Sequence, residues 1–221
     1  MRAPSVSKKP APVKRARAVA RPKERAARTR LDVDERRAQL VALGLEHFSQ
    51  KPYDEVSIDA IAAAAQISKG LLYHYFPTKR DFYAAAIGEA SRGLLEMTHS
   101  SEDLPPLERL RVGIEAYLFY VEEHGAAYTA LFRGGIGSDP KVASLIEETR
   151  QRFLERLFEG IPVAVPAALL RTTLRGWIGF VEAASLDWLE HKDLSRAAIR
   201  DLLGSMLPQA IQAALQLASG G

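Results

Sequence analysis

Residues 57–79, SIDAIAAAAQISKGLLYHYFPTK, constrain the fold more than any other part of the chain. Ser57 is a helix-capping type, and Ile58, Ile61, Ala62 and Ala65 follow it at the three- and four-residue steps of one helical face. After a turn at Gln66 and Ile67, Ser68 supplies a second cap. Leu71, Leu72, Tyr75 and Phe76 then mark a second helix, which Pro77 stops. Two short helices with a small residue, Ala62, where they must cross, and so tight a turn between them, read as a helix-turn-helix. Ile67 and Leu72 lock the second helix against the first, leaving Lys69, Gly70, Tyr73 and His74 outward.

The pattern Ser57-Ile58-Asp59, Ile61-Ala62, Ile67-Ser68-Lys69-Gly70, Leu72-Tyr73-His74-Tyr75-Phe76 and Lys79 resembles the amino-terminal domain of the tetracycline-repressor (TetR) family. Arg36-Arg37, Leu40, Leu45, Phe48 and Tyr53 extend the match, which covers residues 33–87. It is specific because many separated positions agree in order and spacing. A helical hairpin inside some other all-helical protein would account for the caps and apolar positions but not for Leu-Tyr-His-Tyr-Phe with Lys79. Two positions depart from the family: Gln66 stands where the turn usually has glycine, and Pro52 where glycine usually follows the first helix. Gln tolerates a positive φ less well than Gly, so a slight shift of the second helix is expected.

The resemblance implies a surface for double-stranded DNA. Ser57, Tyr73, Tyr75 and Lys79 would engage phosphates, Gly70, Leu71 and His74 would lie near base edges, and Lys69 could reach either, with Ser68 at the cap between them. Thr78 caps the next helix and sets Lys79 in its first turn, where free amides also attract a phosphate.

With 221 residues, 47% of them hydrophobic, the chain can bury a real core. The absence of cysteine excludes disulfides, thiolate metal sites and a cysteine nucleophile, and agrees with a cytoplasmic location. The longest apolar run, residues 161–170, is broken by Pro162 and Pro166 and is too short to span a bilayer. A net charge of +3 hides an asymmetry: residues 1–30 hold eleven Lys and Arg against Glu24 alone, so the remainder is net negative. With Pro4, Pro10, Pro12 and Pro22 and no aromatic residue, this segment reads as a disordered basic arm, placed to neutralise phosphates. The expected organisation is the arm at 1–30, a helix-turn-helix domain at 31–80 whose first helix opens at Asp34, and an effector-binding and dimerisation domain at 81–221.

Beyond residue 105 the periodicity is helical throughout and no alternating pattern appears, so the fold class is all-α. Gly134, Gly135 and Gly137 precede a helix start at Asp139-Pro140, but no strand leads into them and no Lys-Ser/Thr follows, so they read as a flexible link. His47, His74, His99, His124 and His191 are scattered without ligand spacing. No metal, cofactor or catalytic constellation is expected.

Two long helices close the chain. Leu170, Leu174, Trp177, Val181, Ala184 and Trp188 stripe the first; Ile199, Leu202, Leu203, Met206, Ala210, Ile211, Ala214 and Leu215 stripe the second, with Pro208 expected to kink it. Either the stripes complete a monomer core or, as the resemblance implies, they pair with a two-fold mate to make a homodimer that reads a palindromic operator. Tyr117, Tyr120, Tyr128, Phe132, Trp177 and Phe180, with Arg150, are the candidates for a small-molecule cavity, which the resemblance implies. Tyr120-Val121-Glu122-Glu123-His124, Leu131-Phe132 and Asp139-Pro140-Lys141-Val142 are loosely similar to relatives that sense fatty-acyl compounds. The expectation is a DNA-binding regulator, a repressor released by a largely apolar effector. The rival is a helical small-molecule-binding protein without sequence-specific DNA binding, supported by Gln66 and Pro52 alone.

Overall fold

The computed structural model describes the backbone of residues 22–101, 103–160 and 165–219, and side chains from residue 33 onward within those spans. Among the described residues there are nine α-helices and no strand: α1 (Pro22–Gln50), α2 (Ile58–Ala64), α3 (Lys69–Tyr75), α4 (Lys79–Met97), α5 (Pro106–Glu123), α6 (Gly125–Arg133), α7 (Pro140–Glu159), α8 (Ala167–His191) and α9 (Arg196–Ser219). The chain divides into Met1–Arg37 and Ala38–Gly221. Of the first unit only the opening turns of α1 are described.

The helix starts earlier than Asp34. Residues 1–21 of the basic arm lie outside the described residues, but from Pro22 the backbone is already helical. The prolines that spoil a helix stand upstream. Pro22 occupies the first helical position, where its missing N–H costs nothing, and the Lys, Glu, Arg and Ala that follow are good helix formers.

In the second unit the caps fall where the local chemistry places them. The hydroxyls of Ser57 and Ser68 accept from the N–H of Ala60 (3.3 Å) and Leu71 (3.1 Å) and open α2 and α3. Thr78 and Asp81 form a reciprocal capping box at the start of α4. Between α2 and α3, Gln66 sits at φ 55, the left-handed conformation that glycine adopts without strain.

One buried cluster joins α1 through Leu40, Val41 and Phe48, α2 through Ile58, Ile61 and Ala62, and α3 through Leu72, with Phe76 just after it. The first turns of α4 enter the same cluster through Phe82, Tyr83 and Ala86, and α7 enters it through Val142. Phe82 is fully buried, its ring 4.7 Å from Phe76 and 5.7 Å, edge-on, from Phe48. Each such ring removed from water contributes about 1.5–3 kcal/mol.

Two further clusters hold the helices that follow. Ile114 and Leu118 of α5 pack with Val181 and Trp188 of α8 and with Ile199 and Leu203 of α9; Leu154, Leu170, Leu174, Ile178 and Leu207 form the third. The stripes on α8 and α9 therefore largely close the protomer's own core. Trp177 donates its indole N–H to the Leu203 carbonyl at 3.0 Å, and Leu203 is fully buried. What α8 and α9 leave exposed is another face: Gly176, Gly179 and Ala183 on one, Leu202 and Met206 on the other. Helix α9 runs through Pro208 as a single element.

The glycine run is not a flexible link. Residues Gly135–Ser138 form a 3-10 turn, and a Cβ on Gly134 or Gly137 would stand 2.2 Å from the carbonyl oxygens of Ala130 and Leu131. These glycines let the chain fold back against the end of α6 before Asp139 caps α7 through the Lys141 N–H.

Candidate DNA interface and ligand cavity

Helix α3 presents Lys69, Gly70, Leu71 and His74 to solvent, with Ser57 and Ser68 exposed beside them. Lys69 Nζ bonds Asp59 Oδ2 at 2.9 Å across the two helices; this hydrogen bond, then the carboxylate's charge, raises its pKa. Both partners are exposed, so the pair opens readily to another anion. A Cβ on Gly70 would meet only the Ser68 hydroxyl, at 3.9 Å, so among the described residues nothing else fills the space above it. Tyr73 and Tyr75 rest half-buried against the first cluster, and His74 stands edge-on to Tyr75 at 5.8 Å.

Lys79 sits differently from the rest. Its ammonium lies 4.5 Å from the centre of the Tyr53 ring and 3.4 Å from the Asp54 carbonyl, so it ties the turn after α1 to the start of α4. Two ion pairs brace that same first turn from α7: Lys141 with Asp81, and Arg80 with Asp139 at 3.6 Å. The Lys141 and Thr78 hydrogen bonds hold the Asp81 carboxyl below its ordinary pKa.

Between α1, α4, α5, α6, α7, α8 and α9 lies a cavity of about 550 Å³, within the range of small-molecule sites. Tyr117, Tyr120, Tyr128, Phe132, Arg150 and Trp177 all line it. Phe180 does not; its ring packs into the cluster of Ile114, Leu118 and Val181. Glu147 stays exposed, paired with Arg175 and, at 3.6 Å, with Arg150.

Polar groups in the cavity wall are mostly matched to one another. The Tyr117 and Tyr128 hydroxyls share a short hydrogen bond, and burial pushes both phenols well above their ordinary pKa. Arg150 grips Glu182 with two bonds of 2.6 and 2.8 Å, which raises the guanidinium pKa further. Tyr83, buried and lining the wall from α4, is pushed up to about 12 by desolvation. The sequence did not mark Leu45 and Phe48 of α1, the α4 residues, or Arg109 and Arg156 as cavity residues, yet all of them line it. Their helical spacing placed them on a buried face, but nothing local distinguishes a wall residue from a packed one.

Among the described residues no group of three His, Asp, Glu or Cys is placed to hold a metal, and no helix is long and apolar enough to cross a membrane.

Residues 40–86 match "Bacterial regulatory proteins, tetR family", and residues 106–207 match "Tetracyclin repressor-like, C-terminal domain". The HTH-type transcriptional activator FasR of Mycolicibacterium smegmatis is 28% identical over 134 residues, 59% of this chain; the chain spans 60% of the length of that relative. A tetR-family transcriptional regulator from Streptomyces coelicolor superposes with a TM-score of 0.78 at 34% identity, covering 85% of each chain. The regulator FadR from Bacillus subtilis, solved in complex with stearoyl-CoA, shares the fold at a TM-score of 0.61, 16% identity and 77% and 96% coverage of this chain and that one. The helix-turn-helix, the all-α second part and these likenesses agree, and the chain belongs to the TetR family of DNA-binding transcriptional regulators rather than to any class of enzyme.

Proposed function

We propose that this regulator is a homodimeric repressor, released from a palindromic operator when an apolar, acyl-type molecule enters the 550 Å³ cavity. One observation carries the coupling: Phe48, Tyr83 and Ala86 line the cavity and also belong to the cluster that holds the helix-turn-helix. A ligand that fits only one arrangement of α4 biases the attitude of α3, and can shift the equilibrium only by its difference in affinity for the two arrangements. On the DNA side, Lys69, Gly70, Leu71 and His74 face the groove, with the open surface above Gly70 admitting close approach of a base edge. Ser57, Ser68, Tyr73 and Tyr75 contact phosphates. Lys79 acts through its hold on Tyr53, positioning the turn more than touching DNA. The apolar lining and the fold shared with FadR, solved with stearoyl-CoA, support the acyl reading.

FasR is by name an activator, so the direction of control is a separate point and the experiment must report it. DNA fragments retained by the purified protein would be sequenced, and the affinity for the selected site measured by fluorescence anisotropy with and without medium-chain acyl compounds. A palindromic motif and weaker binding with ligand are expected. Retention of no specific sequence, tighter binding with ligand, or unchanged affinity for DNA while Trp177 fluorescence reports an occupied cavity would each overturn the reading.

A further inference from the structure

We infer that the cavity has a polar pole built by Arg109 and Arg156, and that its ligand is an anionic amphiphile whose head lies there while its chain runs toward Tyr117 and Tyr128. The inference rests on the cavity being an effector site and adds the chemistry of the head group.

The three guanidinium groups that line the cavity are not equivalent. Arg150 is neutralised by Glu182 through a bidentate pair. Arg156 meets only neutral acceptors, the Leu95 carbonyl at 2.6 Å and the Thr98 hydroxyl at 3.4 Å, at the last turn of α4. The side chain of Arg109, half-buried in the first turn of α5, has no hydrogen bond, ion pair or ring partner among the described residues. Among the described residues two half-buried cations are thus left on one wall without a carboxylate partner, and burying such a charge unpaired is costly.

They share one end of the cavity. The Arg109 Nη2 lies 3.8 Å from where a Cβ on Gly160 would stand, so it reaches the last turn of α7, the helix that carries Arg156. Arg150 is six residues earlier on α7, about 9 Å along the axis, among the paired tyrosines. The poles are therefore distinct: one closed on itself by Arg150, Glu182, Tyr117 and Tyr128, the other with donors and, among the described residues, no anion paired with them. Thr98, which Arg156 reaches, leads into His99 and Ser100, and among the described residues Glu159 is the only carboxylate lining this end, unpaired with either arginine. Closing the last turn of α7 by charge and dipole is the ordinary role for Arg109, but it makes no hydrogen bond to the carbonyls there.

A carboxylate or a phosphate would serve equally as the head, since both match a guanidinium fork. The experiment therefore compares four C12 probes, dodecanoate, dodecyl phosphate, lauroyl-CoA and the neutral dodecanol, by quenching of Trp177, which lines the cavity. Dodecanol is expected to bind at least tenfold more weakly than the best anion, the effect of losing a charge-assisted hydrogen bond. Arg109→Gln, which breaks no internal contact, should remove that tenfold preference and leave dodecanol unchanged, while Arg109→Lys restores part of it. Dodecanoate alone among the anions identifies a carboxylate head; dodecyl phosphate or lauroyl-CoA alone identifies a phosphate one. Equal binding of all four probes, or an equal loss for dodecanol and anions in Arg109→Gln, overturns the polar pole but leaves the cavity as an apolar effector site. Binding of none removes both readings.

Discussion

Gly44 decides how closely α1 and α4 can pack, and substituting it tests the arrangement that carries the helix-turn-helix. A Cβ at this position would stand 2.5 Å from Cζ and 2.8 Å from Cε2 of Phe82, well inside van der Waals contact. Phe82 cannot step aside, because it is fully buried between Phe76 and Phe48, themselves 2% and 3% exposed. Overpacking of this kind costs about 1–3 kcal/mol. Against it, alanine in the middle of a helix is better than glycine by about 1 kcal/mol. With the ring confined on both faces the steric cost falls in the upper part of its range, so Gly44→Ala should lose about 1–2 kcal/mol. For a chain of this size that is a fall in Tm of roughly 2–8 °C. Gly93 provides the internal control: it also lies within a helix, α4, but a Cβ there meets nothing within 4 Å, so Gly93→Ala should gain about 0.5–1 kcal/mol. The two variants, melted by circular dichroism at one protein concentration, should move in opposite directions. A Gly44→Ala protein as stable as Gly93→Ala would refute the packing of α1 on Phe82.

The turn offers a second test: Gln66 at φ 55 should be improved by Gly, with Gln66→Gly gaining about 1 kcal/mol in urea unfolding and Gln66→Ala gaining nothing. Alkaline pH offers a third. Tyr83 keeps its proton to about pH 12 when folded but releases it near 10 when unfolded, so the stabilisation is complete below 10 and is lost as pH rises toward 12. The loss is on the order of 2 kcal/mol, and Tyr83→Phe should flatten this part of the pH profile; an unchanged profile counts against the buried phenol. For assembly, Gly176→Leu and Gly179→Leu should yield folded monomers in sedimentation, because both glycines face outward with nothing within 4 Å. Leu203→Asp should instead unfold the protomer, and dimers that persist in both glycine variants would place the interface elsewhere.

The features legible in the sequence were local ones. Ser57, Ser68 and Thr78 cap within three residues, and the apolar steps of α2 and α3 depend only on helical period, so these elements stand where the residue pattern placed them. Gln66 was legible in the same way, since a turn two residues long admits few conformations. Facing was harder. On α8, Trp177 and Phe180 are three residues apart with similar chemistry, yet one lines the cavity and the other fills a cluster; the difference depends on what α5 and α9 bring against them. Lys79 shows the same limit: its charge suggested a phosphate, and nothing local foretold that its ammonium also rests on the Tyr53 ring, far away in sequence. Arg109 and Arg156 looked like any surface arginines, because lacking a carboxylate partner among the described residues is a property of the assembled wall.

On the proposed reading, the route from cavity to DNA can be weighed by magnitude. Helix α7 meets the helix-turn-helix cluster through Val142, fully buried, and through the Lys141–Asp81 and Arg80–Asp139 pairs. The cations of both pairs are two-thirds exposed, so each pair is held only loosely and weakens with salt. Burial of Val142 contributes about 1.5–3 kcal/mol and does not. The same helix lines the cavity through Ile146, Thr149, Arg150, Phe153 and Arg156, so a ligand that displaces α7 must carry Val142 with it or leave a void in the cluster that holds the helix-turn-helix. The apolar contact therefore sets the strength of the coupling and the ion pairs set its register. Raising salt should loosen the register without uncoupling ligand from DNA, whereas Val142→Ala should uncouple them at any salt, an outcome that anisotropy titrations at two salt concentrations can separate.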